Sequence, residues 1–219
     1  YHQQMLQAFA YRRDYAGAGA LARHLARDRF DDYGYQERAR ELAAQLARRG
    51  DDFTRLTLPP AGTWRAMQAR MSREQQIHYL ARRLRLLNCR QWGQPGGVSY
   101  ESTQHDQPLH HTGTRNPVIN PYVELDRMKL SAAELRHLVP LLADDDFMPT
   151  FSYWRDFHPG RTLHRVSWAV AQIINTAAGR ELARPRQLRH MTAAEREAHI
   201  ATILRWCRAS ASKPDSGAP

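Results

Sequence analysis

The residues of this chain best equipped for chemistry fall into a few groups, and the densest is Phe147 to Arg161. It interleaves Phe147, Phe151, Tyr153, Trp154, Phe157 and His158 with Arg155, Asp156 and Arg161. Trp, Tyr and Arg are the side chains enriched where proteins grip one another. Tyr153, Trp154, Arg155, Phe157, His158 and Arg161 are therefore candidates for docking another protein. The competing reading is that these aromatics fold back and cap a neighbouring core. Both hold if Trp154 and Arg155 stay exposed.

A second group is His105, His110 and His111 with Asp106, in a stretch rich in Pro and Gly. Imidazole and carboxylate suit a transition metal, but this spacing matches no established ligand pattern. A solvated polar loop is the default, and no metal site is assigned. Cys89 would need a neighbouring base to act as a nucleophile. It closes an apolar helix face, which points to a buried core thiol. With Cys207 it makes only two cysteines, too few for a disulfide framework. No P-loop, HExxH, GxSxG or paired CxxC occurs. No catalytic residue and no cofactor are assigned. A metal-dependent or cysteine enzyme with its site in the 91–121 loop is the third choice of function.

The third group is basic. The net charge is +10, and of 32 basic residues only Lys129 and Lys213 are lysine. Arginine binds phosphate and carboxylate bidentately, which favours an anionic partner. Heavy Arg and Ala use also follows from a GC-rich bacterial genome, and then says little about function. The densest run holds Arg180, Arg184, Arg186 and Arg189. With Arg82 and Arg83 on an earlier helix, these are the residues a nucleic-acid-binding protein would lay along a phosphate backbone. Their competing role is a solvated surface paired with carboxylates.

The elements that position these groups read as helices. Met5, Leu6 and Phe9 fit a first helix, Tyr15 to Arg29 a second, and Tyr35 to Arg49 a third ending at Gly50. Asp51 to Thr63, with Pro59, Pro60 and Gly62, reads as a linker. A short helix follows at Trp64 to Met71. Ser72 with Gln75, Ser131 with Glu134 and Thr192 with Glu195 have capping-box spacing. The first opens a helix carrying Ile77, Leu80, Ala81 and Leu84. The last opens one carrying Ile200, Ile203, Leu204 and Cys207. Gln91 to Pro121 reads as a long irregular segment, a short helix spans Tyr122 to Met128, and Ala209 to Pro219 reads as a disordered tail. No strong strand is expected. Ser99–Tyr100 and Val118–Ile119 are expected at most to pair briefly.

Ser131 to Gly179 reads as two amphipathic helices separated by the aromatic loop. The first carries Leu135, Leu138, Val139, Pro140, Leu141 and Leu142, followed by Asp144-Asp145-Asp146. The second carries Leu163, Arg165, Val166, Ala169, Val170, Ile173 and Ile174 and stops at Gly179. This pair resembles a HEAT-type or armadillo-like repeat, although that family's turn between helices is short. The run Tyr15, Ala20, Leu21, Leu25 and then Tyr33 to Leu46 resembles a tetratricopeptide-type helical hairpin. The first resemblance implies an all-α, armadillo/HEAT-like protein with a long irregular central loop. The expected organisation is a helical hairpin region at 1–58, a repeat-like domain at 59–208 and a tail at 209–219. The expected function is a non-enzymatic scaffold or adaptor whose partner is another protein, with nucleic acid as the alternative partner. No run reaches the roughly 18 apolar residues of a membrane span, and the expected location is the cytoplasm.

Overall fold

The computed structural model describes residues 2–10, 12–27, 34–91, 98–103, 118–153, 161–188 and 190–212. The architecture is mainly helical. Helices α1 (His2–Ala10), α2 (Tyr15–Leu25) and α3 (Tyr35–Arg55) open the chain. Tyr15 meets Phe53 and Gly19 lies beside Leu46, so α2 and α3 run antiparallel. His2 stacks on Tyr35 and Phe9 packs edge-on against Phe53, so α1 and α3 run parallel. The third helix runs straight through Gly50 to Arg55, not ending at Gly50 as its composition suggests. One Gly costs about 1 kcal/mol, which the burial of Leu42, Leu46 and Phe53 on the same helix outweighs. Only residues 56–60 then separate α3 from α4 (Ala61–Gln68), so most of the expected linker is helical.

Helix α5 (Arg73–Arg83) and a 3-10 turn at Leu84–Leu86 lead into β1 (Cys89–Gln91), which pairs antiparallel with β2 (Val98–Thr103). Ser99 lies opposite Arg90, while Val118 bridges to Pro60. The two segments expected to pair with each other thus have other partners. Helix α6 (Pro121–Arg127) is capped by Asn120, whose side chain accepts from the Tyr122 and Val123 amides. All three capping boxes form as read: Ser72 with Gln75, Ser131 with Glu134, and Thr192 with Glu195.

The stretch from Ser131 to Gly179 departs furthest from its reading. The first helix is one turn, α7 (Ala132–Leu135), followed by a 3-10 segment at Val139–Ala143. Pro140 lies in that segment, where its missing N–H and its ring cannot fit an α-helix interior. The aromatic stretch begins as a strand. Strand β3 (Phe147–Tyr153) pairs antiparallel with β4 (Arg161–Arg165), with an irregularity between Phe147 and Phe151 that spans Pro149. Phe, Thr and Tyr favour such a pleated, half-buried surface. Helix α8 (Val166–Ala178) follows at once and stops at Gly179, whose φ of 63° is the left-handed conformation glycine tolerates best. Helices α9 (Pro185–Leu188) and α10 (Ala193–Ala211) complete the order, so the expected tail is helical as far as Ala211.

Two apolar clusters hold these elements. One gathers Met5, Leu6, Phe9, Leu42, Phe53, Phe147, Phe151 and Leu163. The other gathers Trp64, Ile77, Leu80, Leu125, Leu135, Met148, Val166, Ile174, Ile203 and Cys207. Neighbouring residues of β3 enter different clusters, Phe147 the first and Met148 the second, so the β3–β4 hairpin is the seam between them. Polar ties fix it there. The Gln45 amide donates to the Phe147 carbonyl at 2.8 Å and accepts from its N–H at 2.6 Å. Thr150 Oγ1 donates to Leu87 O and accepts from Cys89 N, at 2.8 and 2.9 Å.

Candidate functional site

Of the docking candidates, the backbones of Tyr153 and Arg161 fall within the described hairpin. Tyr153 lies opposite Arg161 in the last pair of the β3–β4 ladder. Trp154, Arg155, Phe157 and His158 belong to the seven-residue connection between those strands and lie outside the described residues, as do the side chains of Tyr153 and Arg161. Phe147 and Phe151 follow the competing reading, since both are buried in the N-terminal cluster. Of the aromatics of this stretch, Phe147 and Phe151 are core, while Trp154 and Phe157 lie outside the described residues.

The root is set by charge as well as packing. Asp144, Asp145 and Asp146, between the 3-10 segment and β3, each receive arginines from other elements. Asp146 is buried and pairs with Arg48 and Arg49 of α3. Asp144 pairs with Arg85 at 3.2 Å, and Arg85 also reaches Asp52 at 3.1 Å. Asp145 pairs with Arg196 of α10, and its carbonyl accepts from Arg165 at 2.7 Å. Arg165 also reaches Glu41 at 2.7 Å and lies over the Phe147 ring. Burial pushes the Asp52 carboxyl up, but Arg82, Arg85 and Arg49 outweigh it and hold it below the usual carboxylate range.

Several arginines proposed for nucleic acid have internal contacts. Arg82 pairs with Asp52 at 3.0 Å. Arg83 donates to the Thr57 and Tyr79 carbonyls and stacks on the Tyr79 ring. Arg180 lies over the Trp206 ring at 5.3 Å, and Arg184 approaches Glu181 at 3.9 Å. Arg189 lies outside the described residues, as does the side chain of Arg186.

His105, His110 and His111 also lie outside the described residues. Cys89 is buried, as its place in the apolar pattern indicates, and its Sγ is 3.9 Å from the Tyr100 carbonyl. The Tyr100 hydroxyl meets His164 Nδ1 at 2.7 Å, and the His164 ring packs edge-on against Trp168. Burial pushes the Tyr100 hydroxyl well above its ordinary range and lowers His164 to about 4. A neutral imidazole is the form this pocket accepts.

One donor set escapes the sequence reading. Glu74 and His78 stand one turn apart on α5, and His137 sits in the turn after α7. Glu74 Oε1 is 3.6 Å from both His78 Nε2 and His137 Nδ1. The three donor atoms all lie within 4.8 Å of one another. Two of its three members stand as Glu-x-x-x-His, the spacing that places two side chains on one helix face. His137 stands apart in the sequence, and only the fold brings it to α5. Among the described residues, no helix is long and apolar enough to cross a membrane. Comparison with protein-family models, curated proteins and solved structures finds no match for this chain.

Proposed function

We propose that this chain is a non-enzymatic interaction scaffold that docks another protein through the far end of the β3–β4 hairpin. The observation that carries the reading is the pairing of Tyr153 with Arg161. It makes Trp154 to Gly160 a short connection whose two ends are held by a ladder, and that ladder is rooted in both apolar clusters. Anchoring of this kind lowers the ordering cost a partner must meet, and Trp, Tyr and Arg are the side chains that repay contact most. The helical framework then serves to present the hairpin. The HEAT or armadillo resemblance rests on Ser131–Gly179, where only α8 forms a long helix, so the reading leans on the hairpin and not on a repeat.

The test is affinity capture with wild-type protein and with Trp154→Ala and Arg155→Ala, each variant first shown to be folded by circular dichroism. A protein partner retained by wild type and lost by both variants is the expected result. Capture unchanged in both would overturn the assignment. A labelled DNA duplex and a single-stranded RNA, each titrated at low and physiological salt, serve as the control for the arginines. Weak binding that vanishes at physiological salt is expected, because Arg82 and Arg83 are engaged within the fold.

A further inference from the structure

We propose that Glu74, His78 and His137 form a site for a divalent metal ion of the zinc type. The donor set is two imidazoles and one carboxylate, the combination that late first-row metals take. Three protein donors leave at least one position open for water or another ligand. This site is separate from the hairpin and does not depend on the role proposed for it.

The spacing favours coordination over simple pairing. Both contacts of Glu74 Oε1 are 3.6 Å, longer than the 2.7–3.2 Å of an N–H···O hydrogen bond. Donors at about 2.0–2.2 Å from a tetrahedral ion stand about 3.4 Å apart. The observed separations are thus close to the edge of a coordination tetrahedron, and the third edge of at most 4.8 Å needs only a small rotation of an exposed imidazole. The His78 and His137 rings approach edge-to-face, with centroids 5.1 Å apart. Two imidazoles therefore converge on the same carboxylate oxygen from different directions.

The fold fixes the offset between the elements that carry these donors independently of any ion. Arg73, next to Glu74, pairs with Glu134 at 2.7 Å and donates to the Met128 carbonyl. Glu134 closes the Ser131 capping box, and its carbonyl accepts from the His137 N–H at 3.0 Å. The clamp that joins α5 to α7 therefore fixes the offset between His137 and Glu74. His137 is largely buried, with 14% of its side chain exposed, and supplies the rigid donor. Glu74 and His78 are exposed and can adjust. Arg136 opposes binding, because its Nε is 3.4 Å from His137 Nε2. A metal on Nδ1 leaves the proton on Nε2, so the Arg136 guanidinium must swing into solvent, where it is already exposed.

The experiment is isothermal titration of chelator-treated full-length protein with zinc chloride at neutral pH. One equivalent should bind at micromolar concentration or below. His78→Ala, at an exposed position, and Glu74→Gln should each weaken that binding at least tenfold, and the His78→Ala/His137→Ala pair should abolish it. Arg136→Ala should tighten it. The triple variant His105→Ala/His110→Ala/His111→Ala should bind as wild type does. Absence of binding to wild type, or equal binding to wild type and His78→Ala, overturns the site. So does loss of binding in the triple variant alone.

Discussion

Mild acid should destabilise this protein through His164, and the size of the effect can be worked out. The His164 ring sits between the Tyr100 hydroxyl and the Trp168 ring, and burial lowers its pKa to about 4. Unfolded, the same imidazole titrates near its ordinary value of about 6.5. Above that value both states are neutral and the residue makes no pH-dependent contribution. As pH falls below it, the unfolded chain takes up a proton that the folded chain refuses, so stability declines. The difference of the two titration curves is about 2 kcal/mol at pH 5 and about 3 kcal/mol at pH 4. His199 is lowered too, by burial and by Arg184, and adds loss of the same sign. Carboxylates held low, such as Asp52 and Glu134, lose their contribution only at lower pH. The assay is therefore urea unfolding of wild type and His164→Phe at pH 7 and pH 5. Wild type should lose about 2 kcal/mol more than the variant between those values. Parallel losses would refute the reasoning, as would an NMR titration placing the His164 ring near 6.5.

Two further substitutions probe what positions the hairpin. Gln45→Ala strips both hydrogen bonds from the buried Phe147 backbone and should cost about 2–4 kcal/mol in urea unfolding; a loss below about 1 kcal/mol would mean that the amide is not what seats β3. Gly179→Ala places a Cβ on a residue with φ of 63° and should lower stability by about 1–2 kcal/mol, with no steric neighbour to blame; an unchanged Tm would show that the turn after α8 relaxes freely.

What the sequence made legible was local. Capping boxes were readable because both partners lie within four residues, and the apolar faces of α5, α8 and α10 because helical period is a short-range signal. The β3–β4 hairpin was missed for a physical reason. Phe147–Arg161 shows no clean alternation and reads as a loop, while Leu163 stands at helical spacing from Val166 and so reads as part of the following helix. The available signals were Pro149, which forbids a helix interior, and the Thr and aromatic content of Phe147–Tyr153. Gly50 misled in the opposite direction, because tertiary burial overrode a weak local preference. For the candidate metal site, Glu74 and His78 were within reach of pattern reading, while His137 depended on the Arg73–Glu134 clamp between separate elements.

The arginine content takes on a different meaning once the acid triplet is seen in place. A chain with net charge +10 invites a polyanion, yet Arg48, Arg49, Arg85 and Arg196 converge on Asp144, Asp145 and Asp146, from α3, the turn after α5, and α10. Three adjacent carboxylates between a 3-10 segment and a strand repel one another, and only the folded arrangement supplies cations from three directions. Lysine would serve poorly there, since Arg85 must reach Asp52 and Asp144 at once, and its planar fork does so while the side chain stays buried. The Arg85–Asp144 pair, enclosed at both ends, adds little net stability, but removing one member leaves a buried charge without compensation. It therefore acts mainly to specify which elements meet. The same triplet ends where β3 begins, so the charges that select the packing of α3 and α10 also fix where the hairpin starts.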